Sequence, residues 1–389
     1  MIHKQYVHTM RQNTKSKSAD AVTVALVLLL LTVAGTLAQD LNLAAMVQPV
    51  PVSAIFRDPG FHIWDGSMIR DDAGKYHLFY SRWPADFSQN AWVSHSAIAH
   101  AVAESPTGPF RFKNVALPPR GKDFWDGMVT HNPSVTRFKD GKYYLYYMGN
   151  RGDGVLSKSL NWIHRNNQRI GVAIAEHPDG PWRRLDKPVL DVSGDPQAPD
   201  ALMVSNPTVT QRPDGGFLMM YKGVAKRKPL PAGGPVTFLI ARGDSPAGPF
   251  TKDLKPMFSK EDWGVAAEDP FIWTGKDRYF GIVRIDGHPV IKEDVVRFNP
   301  TNSSFVLVES QNGSDWKPAK HPLVTTKDLQ WTGGEGPAMI TIQRPYLVLE
   351  DGKPVALVCI STGFPDAHDL GFIIPIPMRK EPDRESGND

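Results

Sequence analysis

A single cysteine, Cys359, occurs in 389 residues, so no disulfide can form within the chain. It stands in the apolar run Ala356-Leu357-Val358-Cys359-Ile360, where a thiol behaves as a small buried hydrophobe. Net charge is equally scarce. The formal balance is +3 with no long basic run, which argues against a dedicated nucleic-acid binder. There is no Gly-rich phosphate loop, no His-x-x-x-His pair and no Gly-x-Ser-x-Gly elbow, so three common routes to catalysis lack their signatures.

Hydrophobic residues make up 41% of the chain, an ordinary globular share, while Gly and Pro are plentiful but scattered, as suits many turns. The N-terminus reads as a targeting segment. Lys4, Arg11, Lys15 and Lys17 precede an almost continuous apolar run, Ala21 to Gly35, and Thr36-Leu37-Ala38 then places small residues before Gln39. The run is short for a membrane span, so residues 1–38 are expected to be a secretory signal peptide and the protein to be secreted or periplasmic. An uncleaved anchor is the alternative, and no Cys follows the run to carry a lipid. Residues 39–60 form a lead-in without clear period, and residues 376–389 a charged tail expected to be disordered.

Between them one frame recurs. His131-Asn132-Pro133-Ser134-Val135, Ser205-Asn206-Pro207-Thr208-Val209 and Glu268-Asp269-Pro270-Phe271-Ile272 are close copies. Trp64-Asp65-Gly66-Ser67-Met68 and Gln343-Arg344-Pro345-Tyr346-Leu347 are looser ones. Each opens a strand-like run, followed by a turn and a second run rich in Tyr, Phe, Leu and Met. A Gly-Pro-aromatic ending appears at one place in three of the units: Gly108-Pro109-Phe110, Gly180-Pro181-Trp182 and Gly248-Pro249-Phe250. Asp65, Asn132, Asn206, Asp269 and Arg344 hold the equivalent position, 67, 74, 63 and 75 residues apart. Repeats of four short strands predict an all-β fold, a five-bladed β-propeller of four-stranded antiparallel blades over residues 61–375.

That geometry sets where the chemistry falls. The first strand of a blade lies nearest the axis, so residues opening the five first strands ring one mouth of the channel. Loops after the second strands return to that mouth, and long loops at one face of a rigid scaffold commonly carry function. Carboxylates held apart across a concave site suit glycosidic cleavage, one as acid on the leaving oxygen and one activating water or attacking the sugar. Asp65 and Glu268 stand in different blades and can face each other. The charge of adjacent Asp269 would raise the proton affinity of Glu268, as suits an acid. Asp200 is a third acidic candidate, and Asp126, in a second Trp-Asp-Gly, rivals Asp65 from outside the frame. Turn capping is the competing reading of Asp65, Asn132, Asn206 and Asp269, less so of Glu268 because Glu is a poor turn residue, and a solvated loop that of Asp200. Trp64, Arg82, His131, Asn132, His164, Arg165, Asn206, Asp269 and Arg344 are candidates for substrate binding, the rings by stacking and the cations by pairing with any anionic group on the sugar. Packing and a solvated rim are the alternatives for them. No metal ligand set or cofactor is assigned, although oxygens and imidazoles lining the channel leave room for a structural metal there.

These residues resemble the glycoside hydrolase family 43 type of five-bladed propeller, within the wider group of families 32, 62, 117 and 130. The resemblance rests on Asp65 ahead of Ser67-Met68-Ile69, on the Asn-Pro-Ser-Val and Glu-Asp-Pro frames and on the Tyr-rich second strands. It implies Asp65 as general base and Glu268, two residues before Pro270, as general acid. It also implies a tuning acid in the second-blade frame, where this chain has Asn132. An acid in the fourth blade rather than the third resembles family 117, exo-acting enzymes on marine galactans. Asp200 or Asp269 would then take the missing role, with His131 or His164 assisting. The resulting expectation is a secreted glycoside hydrolase, exo-acting and inverting, on plant or algal polysaccharide fragments. A non-catalytic sugar-binding propeller and a glycoside phosphorylase are the alternatives.

Overall fold

Five sheets stand around one axis, and the repeat in the sequence is the repeat in space. The structure is a computed structural model, and it describes residues 40–292, 295–300, 303–339, 341–362 and 370–379. The expected signal segment and the tail beyond residue 379 lie outside the described residues. Among those residues no helix is long and apolar enough to cross a membrane.

Blade one comprises Phe61–Arg70, Tyr76–Pro84, Ala97–Ala103 and Arg111–Leu117 in sequential antiparallel order. Blade two is Val129–Arg137, Tyr143–Asn150, Arg169–Ala175 and the two-residue outer strand Arg183–Arg184. Blade three runs Met203–Gln211, Phe217–Val224, Val236–Gly243 and Thr251–Met257. In blade four Ala267–Thr274, Tyr279–Ile285, Ser304–Ser310 and Lys317–Thr326 pair in order. A hairpin, His288–Lys292 against Val295–Asn299, projects between its second and third strands, where a loop was expected.

Blade five has three strands of its own, Gln343–Glu350, Lys353–Ser361 and Phe372–Pro377. Its outer edge is covered from the other end of the chain. Phe56 and Ile373 exchange both backbone hydrogen bonds, at 2.9 and 3.0 Å, and Val47 bridges Met378. The stretch read as a lead-in therefore closes the ring. The last strand reaches Pro377, so the propeller extends past residue 375 and the tail cannot begin at 376. Closure of this kind satisfies an edge that would otherwise present unpaired backbone groups.

The core lies in the seams between blades. Leu78, Tyr80 and Ala101 of blade one meet Ala356, Val358 and Ile360 of blade five. Tyr146 and Val172 meet Met219, Tyr221 and Leu239 across the seam of blades two and three. Second strands are buried on both faces, which explains why Tyr143–Asn150 carries no alternation. The three Gly-Pro-aromatic endings are turns with cis Gly-Pro bonds, and Gly108, Gly180 and Gly248 have φ of 80°, 85° and 75°. A side chain there would face both backbone strain and the ring two residues on.

Candidate active site

All five frame residues share one backbone state. Asp65, Asn132, Asn206, Asp269 and Arg344 have φ of 62°, 54°, 49°, 54° and 57°. At each the pairing of first and second strand slips by one residue, between Trp64 and Ser67 in blade one and at the matching places in the others. Asn and Asp enter the left-handed region more readily than other L-residues, which is why four of the five frames carry them. The bulge re-aims one side chain per blade towards the axis.

Those five side chains close into a hydrogen-bonded ring. Arg344 contacts the Asp65 carboxylate through Nε and donates from Nη1 to Asp269 Oδ1 at 2.9 Å. Asn206 Nδ2 donates to the same Asp269 oxygen at 3.0 Å, and Asn132 Nδ2 donates to Asn206 Oδ1. Ser81 completes the circuit. Its hydroxyl donates to Asp65 Oδ2 at 3.1 Å and accepts from the Asn132 amide at 3.0 Å. The frame Asp and Asn residues are therefore held across blades and do not merely cap turns.

Charge in the ring is uneven. Burial is the largest influence on Asp65 and raises its pKa to about 6; the charge of Asp269 adds to that, while Arg344 and Ser81 pull it back. Burial also works against ionised Asp269, yet Arg344, Lys222 and Arg284 outweigh it and hold its carboxyl below the usual range. One guanidinium thus serves two buried carboxylates unequally, with the proton-binding capacity left on Asp65.

Above the ring opens a cavity of about 390 Å³ lined from every blade, by Trp64, His131, Asn206, Glu268 and Arg344 among others. Asp65 does not line it but is buried behind His131, whose Nε2 lies 3.9 Å from Asp65 Oδ2, and behind Arg344. His131 accepts or donates at Nδ1 with Ser96 Oγ at 2.7 Å, and its ring stacks on Trp92 with centroids 4.5 Å apart. Burial, with the Arg344 charge, keeps this imidazole neutral. Glu268 stands on the wall with Arg284 Nη2 at 3.4 Å from its Oε2. A larger cavity of about 650 Å³ lies at the opposite end of the first strands, around Arg70, Asp71, Arg137 and Glu350, away from the ring.

The sequence-predicted residues divide. Trp64, His131, Asn132, Arg165, Asn206, Glu268, Asp269 and Arg344 come together at the cavity, with Asp65 beneath. Three do not. Asp200 is fully buried behind blade three, where it accepts from Tyr221 Oη at 3.1 Å and Lys252 Nζ at 2.6 Å. It is neither a third acid at the mouth nor part of a solvated loop. Arg82 binds Asp58 at 2.8 Å and lies over the rings of Phe61 and Phe112. His164 is buried, bridging Asn150 Oδ1 at 2.8 Å and Asp153 Oδ1 at 2.9 Å, so it orders a loop. Asp126, the rival of Asp65, accepts from Tyr147 and Arg120 and is likewise enclosed. The ring residues leave the channel axis held by a guanidinium, a poor setting for the structural metal that the channel had left room for.

Some roles show only in the strand register. Ser81, Met148, Lys222, Arg284 and Ile360 pair opposite Trp64, His131, Ser205, Glu268 and Gln343, and the three polar ones, Ser81, Lys222 and Arg284, tune the ring. Register alone reveals them. Glu335 also stands two residues before a Pro, in Glu335-Gly336-Pro337, on the loop following the end of blade four that returns to the mouth face. It is exposed and outside the cavity lining.

This architecture is shared with known proteins. A family 117 glycoside hydrolase from the marine bacterium Zobellia galactanivorans superposes with a TM-score of 0.56 at 17% identity, covering 85% of this chain and 89% of that one. The Bacillus subtilis arabinanase Arb43A does so at 0.54 and 12%, covering 83% and 95%. The chain has the glycoside hydrolase five-bladed propeller fold. In sequence it is similar to a β-xylosidase of Xylanibacter ruminicola, 29% identical over 202 residues. That stretch spans 49% of this chain and 55% of the relative, about half of each. No protein-family model matches the chain.

Proposed function

We propose that the protein is a secreted glycoside hydrolase that releases sugar from the ends of plant or algal polysaccharide fragments with inversion. The observation that carries this reading is Asp65, a buried carboxylate with pKa about 6 directly behind His131 and Arg344, which line the same cavity as Glu268. A base of that strength is well matched to accept a proton near neutral pH. In the proposed step Glu268 gives its proton to the glycosidic oxygen as that bond breaks. Asp65 takes a proton from the water whose oxygen bonds to the anomeric carbon. The burial of Asp65 behind His131 and Arg344, with contacts to Ser81 and Arg344, supports activation of water over direct attack, hence inversion. A cavity of this volume, lined from all five blades, supports action at a chain end.

The test is a panel of oligosaccharides, with the released sugar and its anomer identified. Glu268→Gln and Asp65→Asn should each abolish release while the fold persists by circular dichroism. Near-normal release by Glu268→Gln with loss in Glu335→Gln would move the acid to Glu335. A first residue of Gln39 in the exported protein would support secretion.

A second reading has its own support. Arg165, Lys222 and Arg344 line the cavity beside the carboxylates, and Arg284 adjoins Glu268. Cations placed there, and not out on a rim, suit phosphate as the attacking group or an anionic sugar as substrate. Cleavage that depends on inorganic phosphate and yields a sugar 1-phosphate would select the phosphorylase.

A further inference from the structure

Away from the mouth, the seam between blades one and two gathers imidazoles and carboxylates that the proposed reaction does not use. His77 lies on the second strand of blade one and His100 on its third, both buried. Asp179 comes from the turn ahead of the outer strand of blade two. We propose that His77, His100 and Asp179 form a binding site for a divalent transition-metal ion of the zinc kind, joining blade one to blade two.

The spacing fits. His77 Nδ1 lies 2.9 Å from His100 Nε2 and 3.6 Å from Asp179 Oδ1, and one ligand atom from each residue falls within 4.8 Å of the others. Tetrahedral zinc with bonds of roughly 2.0–2.1 Å separates neighbouring ligand atoms by about 3.3 Å, between the two observed values. Two imidazoles and one carboxylate leave the fourth position to water or to His177. The latter already faces the group, with Nδ1 3.7 Å from Asp179 Oδ2. Imidazole-rich sets of this kind favour zinc, copper or nickel over calcium or magnesium.

The outer partners orient the ligands. Asp71 Oδ2 lies 3.0 Å from His77 Nε2. An ionised carboxylate only accepts, so His77 carries its proton on Nε2 and keeps the Nδ1 lone pair towards His100 and Asp179. A carboxylate behind a ligating imidazole is the common supporting arrangement in zinc sites. In the metal-free chain the neutral His100 donates from Nε2 to that lone pair of His77, so ligation requires its proton on Nδ1 instead. Lys113 Nζ, 2.5 Å from Asp179 Oδ1, is the resident cation that the metal would displace, and its half-exposed side chain can turn to solvent.

The experiment uses the full chain without a histidine tag, stripped with chelator and titrated with zinc by calorimetry, then with cobalt for the visible absorption of a four-coordinate site. One ion per chain, a four-coordinate cobalt spectrum and a Tm that rises with zinc concentration are the expected results. Asp179→Asn, at a half-exposed position that the fold tolerates, should weaken binding roughly tenfold or more, and Asp71→Asn should weaken it to a similar degree. Absence of saturable uptake overturns the proposal. So does uptake that is unchanged in Asp179→Asn and in the folded His77→Gln/His100→Gln double variant.

Discussion

Two sets of buried aspartates along this chain do different work. Asp58, Asp126 and Asp200 precede the frames of blades one to three. Each accepts from the Tyr of its own second strand, Tyr80 at 2.6 Å, Tyr147 at 2.7 Å and Tyr221 at 3.1 Å. Each also holds a cation: Arg82, Arg120 and Lys252. Asp65 and Asp269 lie in the frames themselves, and apart from Ser81 their partners in the ring come from other blades. Both sets are buried and both meet a cation, so burial and charge do not separate them. What differs is reach. The first set pins a loop to its own sheet, whereas the second gathers five blades under an open cavity. In blades four and five the Tyr position is held by Val283 and Cys359, which have no hydroxyl to complete such a pin.

The largest effect that would test this contrast is on turnover. Asp65→Asn should lower kcat by about 10²–10⁴ with little loss of Tm, read as released reducing sugar. Asp200→Asn should show the reverse, leaving kcat near normal while unfolding becomes easier by about 3–5 kcal/mol, because Lys252 then loses its buried partner. Equal effects of the two variants on both readouts would erase the distinction. Next comes Arg344→Met, which leaves two buried carboxylates without their shared cation. It should destabilise by a similar amount, measured by denaturant unfolding, and should also touch catalysis.

The pH profile sharpens the same point. A base must be ionised, so kcat/KM should rise as pH passes through about 6, the value to which burial lifts Asp65. Arg344 lowers that value, so its removal should move the rising limb to higher pH. A limb fixed in place would mean that Asp65 is not the group titrating. The smallest effect is steric. The Cβ of Gly223→Ala would come 2.8 Å from Asp200 Cβ, and crowding of this kind costs about 1–3 kcal/mol of stability without touching the ring.

Much of the propeller was legible in the residues. Asn and Asp before Pro mark bulges because few other residues tolerate φ near 55°, and the Gly-Pro-aromatic endings mark turns for the same steric reason. Asp200, Arg82 and His164 misled because a polar residue on a loop reads the same whether it faces solvent or folds back onto its own blade. The closing of blade five by residues near Phe56 escaped notice too, since its pairing is with Ile373 at the far end of the chain.

The sequence by itself determined the repeat, the number of blades and the side chain that each blade turns to the axis, because those follow from local backbone preferences recurring at intervals. Only the tertiary structure decided which aspartates meet across blades, that Arg344 lies between two of them, and that Asp65 keeps a raised proton affinity. Those properties depend on distances between residues far apart in the chain, and on how much water the other blades exclude, which no local pattern encodes.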